Sequence, residues 1–290
     1  MAAYVAARLR DMGERPAIMS RGYGRRDAAE GVVVVRDPEG IRADLDRAGD
    51  EPLMLARQLD GVAVLVCSNR HLAGRLAEHH FDCTVHVLDD GFQHFPLERD
   101  ADVVIVARED LPLKGDLPPK GGSHLTLPFG HLREPVDALG AADAFIALDD
   151  AVVAGPNVWR ARRRQQPVIA ADPLASPPPP SGGPVIAVAG IAGPDAFFAG
   201  LKSAGWTLAR ELRFRDHHRY ARKDVDAIAA AARETGARAV VTTEKDLVRL
   251  LPFRPFTPPL AYAPLAIEIE SPATFDEWLR ERVRAARPRS

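Results

Sequence analysis

An α/β fold is predicted, with a parallel sheet covered by helices on both faces and a second, smaller α/β unit after it. Short runs of apolar and β-branched residues alternate with amphipathic helical stretches along the chain. These runs look apolar on both faces, as strands covered from both sides must be. The alternation breaks once, in a stretch rich in proline and arginine, and then resumes. At 290 residues the chain has room for roughly two domains of about 150 residues.

The elements follow in order. Val5, Leu9 and Met12 recur at helical spacing, which predicts a helix over 2–12 stopped by Gly13. Pro16 to Ser20 reads as a short buried strand, and Gly31 to Val35 as a β-branched strand. Pro52 to Leu59 reads as a helix with proline near its start. Val62 to Cys67 is a strand, Arg70 to His80 a helix, and Cys83 to Leu88 and Asp102 to Val106 are strands. The segment 149–184, with Arg160 to Arg164 and a prolyl run at 177–180, reads as a linker between a core at 1–148 and a smaller unit at 185–290. In that unit Val185 to Ala189 and Arg238 to Thr242 read as strands. Pro194 to Ala204 and Asp224 to Thr235 read as helices closed by Gly205 and Gly236. Ser271 and Pro272 open a last helix whose stripe is Phe275, Trp278, Leu279 and Val283.

Composition narrows the function classes. Apolar residues make up 46% and charged residues 27%, which excludes wholesale disorder, collagen-like and coiled-coil chains. Lys plus Arg (38) against Asp plus Glu (40) leaves a net charge of −2, so no bulk attraction draws the chain to nucleic acid, and no nucleic-acid partner is expected. The basic groups at Arg160 to Arg164 and Arg280 to Arg289 read as solvated faces, the latter able to touch anionic lipid headgroups. No apolar run reaches the 18 or so residues of a membrane-spanning helix. Arg8, Arg10 and Asp11 come too early for a signal-peptide core, so export is not expected. Cys67 and Cys83 are too few for a disulfide scaffold and suit a reducing cytoplasm; with His79 and His80 they lack zinc spacing.

Several segments could carry chemistry. Val85 to Leu88 runs into Asp89, Asp90, Gly91, Phe92, Gln93 and His94. Ligands of open parallel sheets sit beyond the carboxyl ends of the strands, where two adjacent acids can hold magnesium against phosphates; Asp-Gly is also a common turn pair. Asp50 opens a helix and reads either as an N-cap or as a carboxylate able to accept a proton from a substrate hydroxyl. Asp216, His217 and His218 lie in a polar loop, and a carboxylate-paired imidazole is a better base near neutrality than a lone Asp. Arg133 and Glu134 offer a guanidinium for phosphate and an acid for metal, or a plain ion pair at a helix entry. Arg21 stands beside Gly22 and Gly24 after a strand, where glycines let the backbone approach a ligand. Gly190 and Gly193 lack full dinucleotide spacing but leave a Rossmann-type nucleotide enzyme as an alternative.

Six collinear segments then stand together: SRGYGRR at 20–26, AGDEPLMLAR at 48–57, VLDDGFQHFPLERD at 87–100, GHLREP at 130–135, FRDHHRY at 214–220 and TTEKDLVRL at 242–250. In this combination the chain resembles the tetraacyldisaccharide 4'-kinases, lipid A kinases of Gram-negative bacteria. The resemblance implies a two-domain, P-loop NTPase-like scaffold that uses ATP and Mg2+ to phosphorylate the 4'-hydroxyl of a glycolipid, tetraacyldisaccharide 1-phosphate. The implied location is peripheral, at the cytoplasmic face of the inner membrane. Asp50 matches the family's catalytic carboxylate and His217 the histidine paired with it as base, which would require the two domains to close on each other. Asp89, Asp90 and Glu134 match acids near magnesium, while Arg21, Gln93, His94 and Arg133 fall to the nucleotide.

One motif of the family is not found in this sequence: no segment reads G-x-x-x-x-G-K-S/T. The family places that loop just before the helix that is here 2–12, so the first strand, the phosphate loop and a membrane-resting helix are expected to be missing. Phosphoryl transfer relies on backbone N–H groups and a lysine around the phosphates, so tight ATP binding is expected to suffer, and a non-catalytic nucleotide- or partner-binding remnant is the alternative. The stretch Lys114 to Thr126 also looks longer than the family's connection into LREP.

Overall fold

This computed structural model describes residues 1–27, 31–108, 126, 133–172 and 183–287. The chain opens with α1 (Ala2–Asp11), alanine-rich and with Arg8 and Arg10 in its last turn, where positive charge suits the helix dipole. Next comes β1 (Pro16–Ser20), buried at every position, flanked in parallel by β4 (Ala63–Val66) and β5 (Val85–Leu88). Helices α3 (Asp50–Gln58) and α4 (Arg70–Phe81) cover this sheet together with α1.

The sheet is mixed rather than wholly parallel. Strand β2 (Val33–Asp37) runs antiparallel to β4 and turns back into β3 (Gly40–Ile41), giving the order β3-β2-β4-β1-β5. The turn from β2 into β3 is made by the Asp37 carboxylate, which accepts the backbone N–H groups of Glu39 and Gly40; the strand expected at 31–35 lies at Val33–Asp37. A short helix, α2 (Leu45–Ala48), is capped by the Asp44 side chain and leads into α3.

A second sheet continues the first lobe. Strands β6 (Val103–Val106), β7 (Ala144–Leu148) and β8 (Val158–Gln165) are parallel. The expected linker at 149–184 therefore contributes a strand. Trp159 and Ala161 point inward at period two, while Arg162, Arg163 and Arg164 pair with Glu270, Asp149 and Glu268. The arginine run hid that alternation. The prolyl run at 177–180 lies outside the described residues.

The second lobe is built on β9 (Ile169–Ala170), β10 (Pro184–Ala189), β11 (Thr207–Arg213), β12 (Ala239–Thr243) and β13 (Leu260–Ala263). The order is β11-β10-β12-β13-β9, parallel except for β9. Ile186 and Val188 face one core and Val185, Ala187 and Ala189 the other, as alternation in a strand requires. Helices α5 (Pro194–Ser203), α6 (Arg222–Thr235) and α7 (Glu244–Leu250) complete the lobe.

The chain then returns to the first lobe, which corrects the expected unit at 185–290. Strand β14 (Leu265–Ile269) pairs antiparallel with β8, and α8 (Pro272–Ala286) buries Phe275, Trp278 and Leu279 against Leu9 and Ile146. The passage between lobes is thus a two-stranded ribbon. Gln165 pairs with Leu265 on one side, Ile169 with Tyr262 on the other, and Gln166 N–H donates to the Pro264 carbonyl (2.8 Å) between them.

The two chain ends are joined by Arg8 of α1, whose Nε donates to Asp276 of α8 (2.8 Å), a residue 5% exposed. Asp276→Ala is expected to cost about 1–3 kcal/mol, read as a lower urea midpoint. The Arg8 hydrogen bond holds the Asp276 carboxyl below its ordinary range. A depressed folded value gives stability that is complete above the unfolded pKa of about 3.9 and lost as pH falls through the folded one. The stability gap between wild type and variant should therefore shrink on acidification across that window.

Candidate active site

Two parallel strands of the first lobe, β1 and β5, end on one edge, and each leads into a segment singled out by its sequence. β1 ends at Ser20, and Arg21, Gly22, Tyr23 and Gly24 follow. Gly22 has φ +71°, and a Cβ there would lie 2.2 Å from a methyl of Val66, so only glycine lets this turn fold over β4. It presents the Tyr23 ring outward, 76% exposed.

After β5 come Asp89 and Asp90, the latter with left-handed backbone (φ +53°). Burial, then the neighbouring Glu51 and Asp90 carboxylates, push the Asp89 carboxyl above its ordinary value. The Met1 ammonium and the Ser20 hydroxyl offset only part of this, and such a cluster of carboxylates suits a divalent cation. Among the described residues, however, no three His, Cys, Asp or Glu side chains are grouped to hold a metal ion. Asp89, Asp90 and Glu134 therefore do not form the expected three-acid set, because Asp90 is engaged by Arg133 (2.6 Å). A magnesium ion that keeps waters and substrate phosphates needs only one or two carboxylates, so Asp89 with Asp90 still fits one. Most of the connection into LREP, including 109–125 and 127–132, lies outside the described residues.

Gln93 and His94 follow in a turn whose shape is set by Arg99: its guanidinium donates to the His94 carbonyl (2.8 Å) and pairs with Asp102 (2.6 Å). Burial, then the charges of Arg70, Arg21 and Arg99, lower the His94 pKa. Arg21 also bears on Arg70. The expected nucleotide-contacting residues Arg21 and His94 thus share one positive neighbourhood beside the acids of β5.

Helix α3 brings in the other lobe. Asp50 is the first residue of α3, and its cap is Gly49, so the N-cap reading of Asp50 does not hold. Its Oδ2 meets His217 Nδ1 at 2.9 Å, across the lobe boundary. His217 sits on the loop between β11 and α6 with left-handed backbone (φ +54°). His218, its neighbour, instead bonds Asp224 (3.1 Å) and stacks on Phe214, and so secures the start of α6.

Helix α7 supplies residues to which the sequence reading gave no role. Lys245 Nζ lies 3.0 Å from Glu51 Oε1 and 3.1 Å from His217 Nε2. Arg249, 3% exposed, donates from Nε to Asp50 Oδ2 (2.9 Å) and from its terminal nitrogen to Asp246 (3.0 Å) and the Gly190 carbonyl (2.9 Å). Asp246, fully buried, also accepts from Tyr220 (3.0 Å), Thr243 (2.7 Å) and the Gly190 N–H (2.8 Å). The usable signal is TTEKDLVRL, where four charged residues share one seven-residue helix with Leu247, Val248 and Leu250. Burial disfavours the charged Asp50, but Arg249, then His217 and Lys245, more than offset it and hold the carboxyl below its ordinary range.

Gly190 also settles the dinucleotide alternative. Its N–H is spent on Asp246, and a Cβ there would lie 2.9 Å from that carboxylate, so the turn packs against α7 rather than opening to a phosphate. The open space lies instead between the lobes, a cleft of about 330 Å3 lined by Tyr23, Gly49, Asp50, His217, Arg219 and Phe253.

Comparison with known proteins places this arrangement. The family model Tetraacyldisaccharide-1-P 4'-kinase matches residues 1–284. The tetraacyldisaccharide 4'-kinase of Syntrophus aciditrophicus is 32% identical, over 98% of this chain and 80% of its own length. That of Halorhodospira halophila is 36% identical, over 92% and 73%. A crystal structure of LpxK from Aquifex aeolicus in complex with ATP superposes with a TM-score of 0.75 at 26% identity, covering 97% of this chain and 82% of that one.

Arg249→Met should destabilise the protein by about 3–5 kcal/mol, since it strands two buried carboxylates. Arg249→Lys should recover only part, because an ammonium cannot span both acids and a carbonyl. Urea denaturation of the two variants reads both effects.

Proposed function

The chain belongs to the tetraacyldisaccharide 4'-kinase family, and from that membership we propose that it transfers the γ-phosphoryl group of ATP to the 4'-hydroxyl of tetraacyldisaccharide 1-phosphate, a step in lipid A biosynthesis. The observation that carries the assignment of roles is the Asp50–His217 contact across the cleft.

An imidazole is the better proton acceptor near neutrality when its carboxylate partner is held below its ordinary range. His217 therefore takes the proton of the acceptor hydroxyl at Nε2, while Asp50 orients the ring and stabilises the imidazolium that forms. The acceptor oxygen forms its bond to the γ-phosphorus as the bond to the β-phosphate oxygen breaks, and ADP leaves with that electron pair. Arg21, Gln93, His94 and Arg133 are assigned to the nucleotide's phosphates. Asp89 and Asp90 would hold magnesium, with Glu134 placed next to Arg133, whose guanidinium meets Asp90 (2.6 Å); the ion would neutralise phosphate charge when bound. The exposed Tyr23 ring, whose centroid is 6.1 Å from that of His217, offers an apolar face against which an acceptor sugar can lie.

The tetraacylated acceptor sits in a bilayer, so the chain is placed peripherally at the cytoplasmic face of the inner membrane. No helix among the described residues is long and apolar enough to cross a membrane.

Asp50→Ala and His217→Ala are each expected to lower kcat by about 100-fold or more, with little change in ATP affinity. Turnover assays with ATP and tetraacyldisaccharide 1-phosphate decide this, and wild-type rates in both variants would overturn the assigned roles. Asp89→Ala should weaken magnesium-dependent ATP binding measured by calorimetry. Tyr23→Ala should raise KM for the acceptor more than it lowers kcat.

A further inference from the structure

His217 is held at both ring nitrogens, and its two partners have opposite character. Nδ1 faces Asp50 Oδ2 at 2.9 Å, and an ionised carboxylate can only accept. Nε2 faces Lys245 Nζ at 3.1 Å, and an ammonium can only donate. The nearest competing acceptor, Asp216 Oδ2, is 4.0 Å from Nε2, beyond hydrogen-bond reach. The ring must then carry its proton on Nδ1 and keep Nε2 bare.

We propose that Lys245 is a positioning residue that fixes His217 as the Nδ1–H tautomer and so leaves Nε2 as the nitrogen able to receive the acceptor proton. This rests on the reading of His217 as the base. The lysine is placed for the task by α7, one residue after Glu244, whose carboxylate accepts from Gln58 of α3 (3.0 Å). Its ammonium is steadied from the first lobe by Glu51 (3.0 Å), and its side chain is 20% exposed. Asp216 Oδ1, 4.0 Å from Nζ, gives the ammonium a second resting place when the acceptor hydroxyl arrives at Nε2. Once the proton has moved to Nε2, the imidazolium would repel the ammonium, and Asp216 and Glu51 can hold it aside. Lys245 thus joins His217 of its own lobe to Glu51 of the other, so docking of the lobes steadies the ammonium that faces Nε2.

The test reads the ring directly. In the histidine-15N-labelled 290-residue chain without ligands, two-bond proton–nitrogen correlations should show His217 protonated at Nδ1 and bare at Nε2, with His217→Gln identifying the signal. Asp50 still favours Nδ1–H in Lys245→Met, so that variant should add a measurable Nε2–H population to the wild-type pattern rather than replace it. Lys245→Arg, which keeps a donor, should retain the wild-type pattern. In turnover assays Lys245→Met should lose about tenfold or more in kcat with acceptor KM changed by less than about twofold, and Lys245→Arg should recover part of the loss. A ring protonated at Nε2 in the wild-type protein, or a pattern unmoved in Lys245→Met, would overturn the proposal. The tautomer is read without substrate. A wild-type turnover rate in His217→Ala, alongside the expected tautomer, would therefore strike the reading of His217 as base and leave the positioning by Lys245 standing.

Discussion

A buried guanidinium holds the site together. Arg249 neutralises Asp50 from one lobe and Asp246 from its own, and it closes the Gly190 turn as well. Without it, two carboxylates would face each other with little water to screen them, and the contact between α3 and α7 would open. Because Arg249, Asp246 and Lys245 share one short helix, docking of the lobes and assembly of the Asp50–His217 pair are a single event. Val248 of the same helix is buried in the first lobe's core, so the apolar and ionic parts of the interface support each other.

Two site residues, Asp90 and His217, adopt left-handed backbone at a cost of about 1–2 kcal/mol each. Asp and His tolerate this conformation better than bulky residues do. At His217 the conformation brings the ring to Asp50 rather than into its own lobe, where His218 is bound. At Asp90 it accompanies a carboxylate that meets Arg133 from a distant segment, joining the DDG and LREP motifs that the sequence keeps apart.

Much of the first lobe was legible because its strands are apolar on both faces: Pro16 to Ser20 was read to the residue. What was missed has physical causes. The strand over 158–165 is hidden because Arg162, Arg163 and Arg164 occupy successive positions of both faces, balanced by acids on other segments, a pairing that local sequence cannot reveal. Strand β11 was missed because Arg210, Glu211 and Arg213 on an edge obscure its period. The stripe of α8 was read correctly but assigned to the wrong lobe, since amphipathicity says that a face is buried and not against what. The Asp50–His217 pairing is legible from the GDEP and DHH motifs, whereas Lys245 and Arg249 are not, because a charged residue inside a short helix looks solvated until its partners from other segments are known.

The ribbon at 165–169 and 262–265 has a mechanical meaning. A lobe joined to its host by a single strand can swivel about every torsion of that strand. One joined by two hydrogen-bonded strands resists rotation about the tether and sliding along it, and yields mainly by flexing. Opening and reclosing of the cleft therefore retrace nearly the same arc, so that α7 returns to α3 in the same register after each cycle.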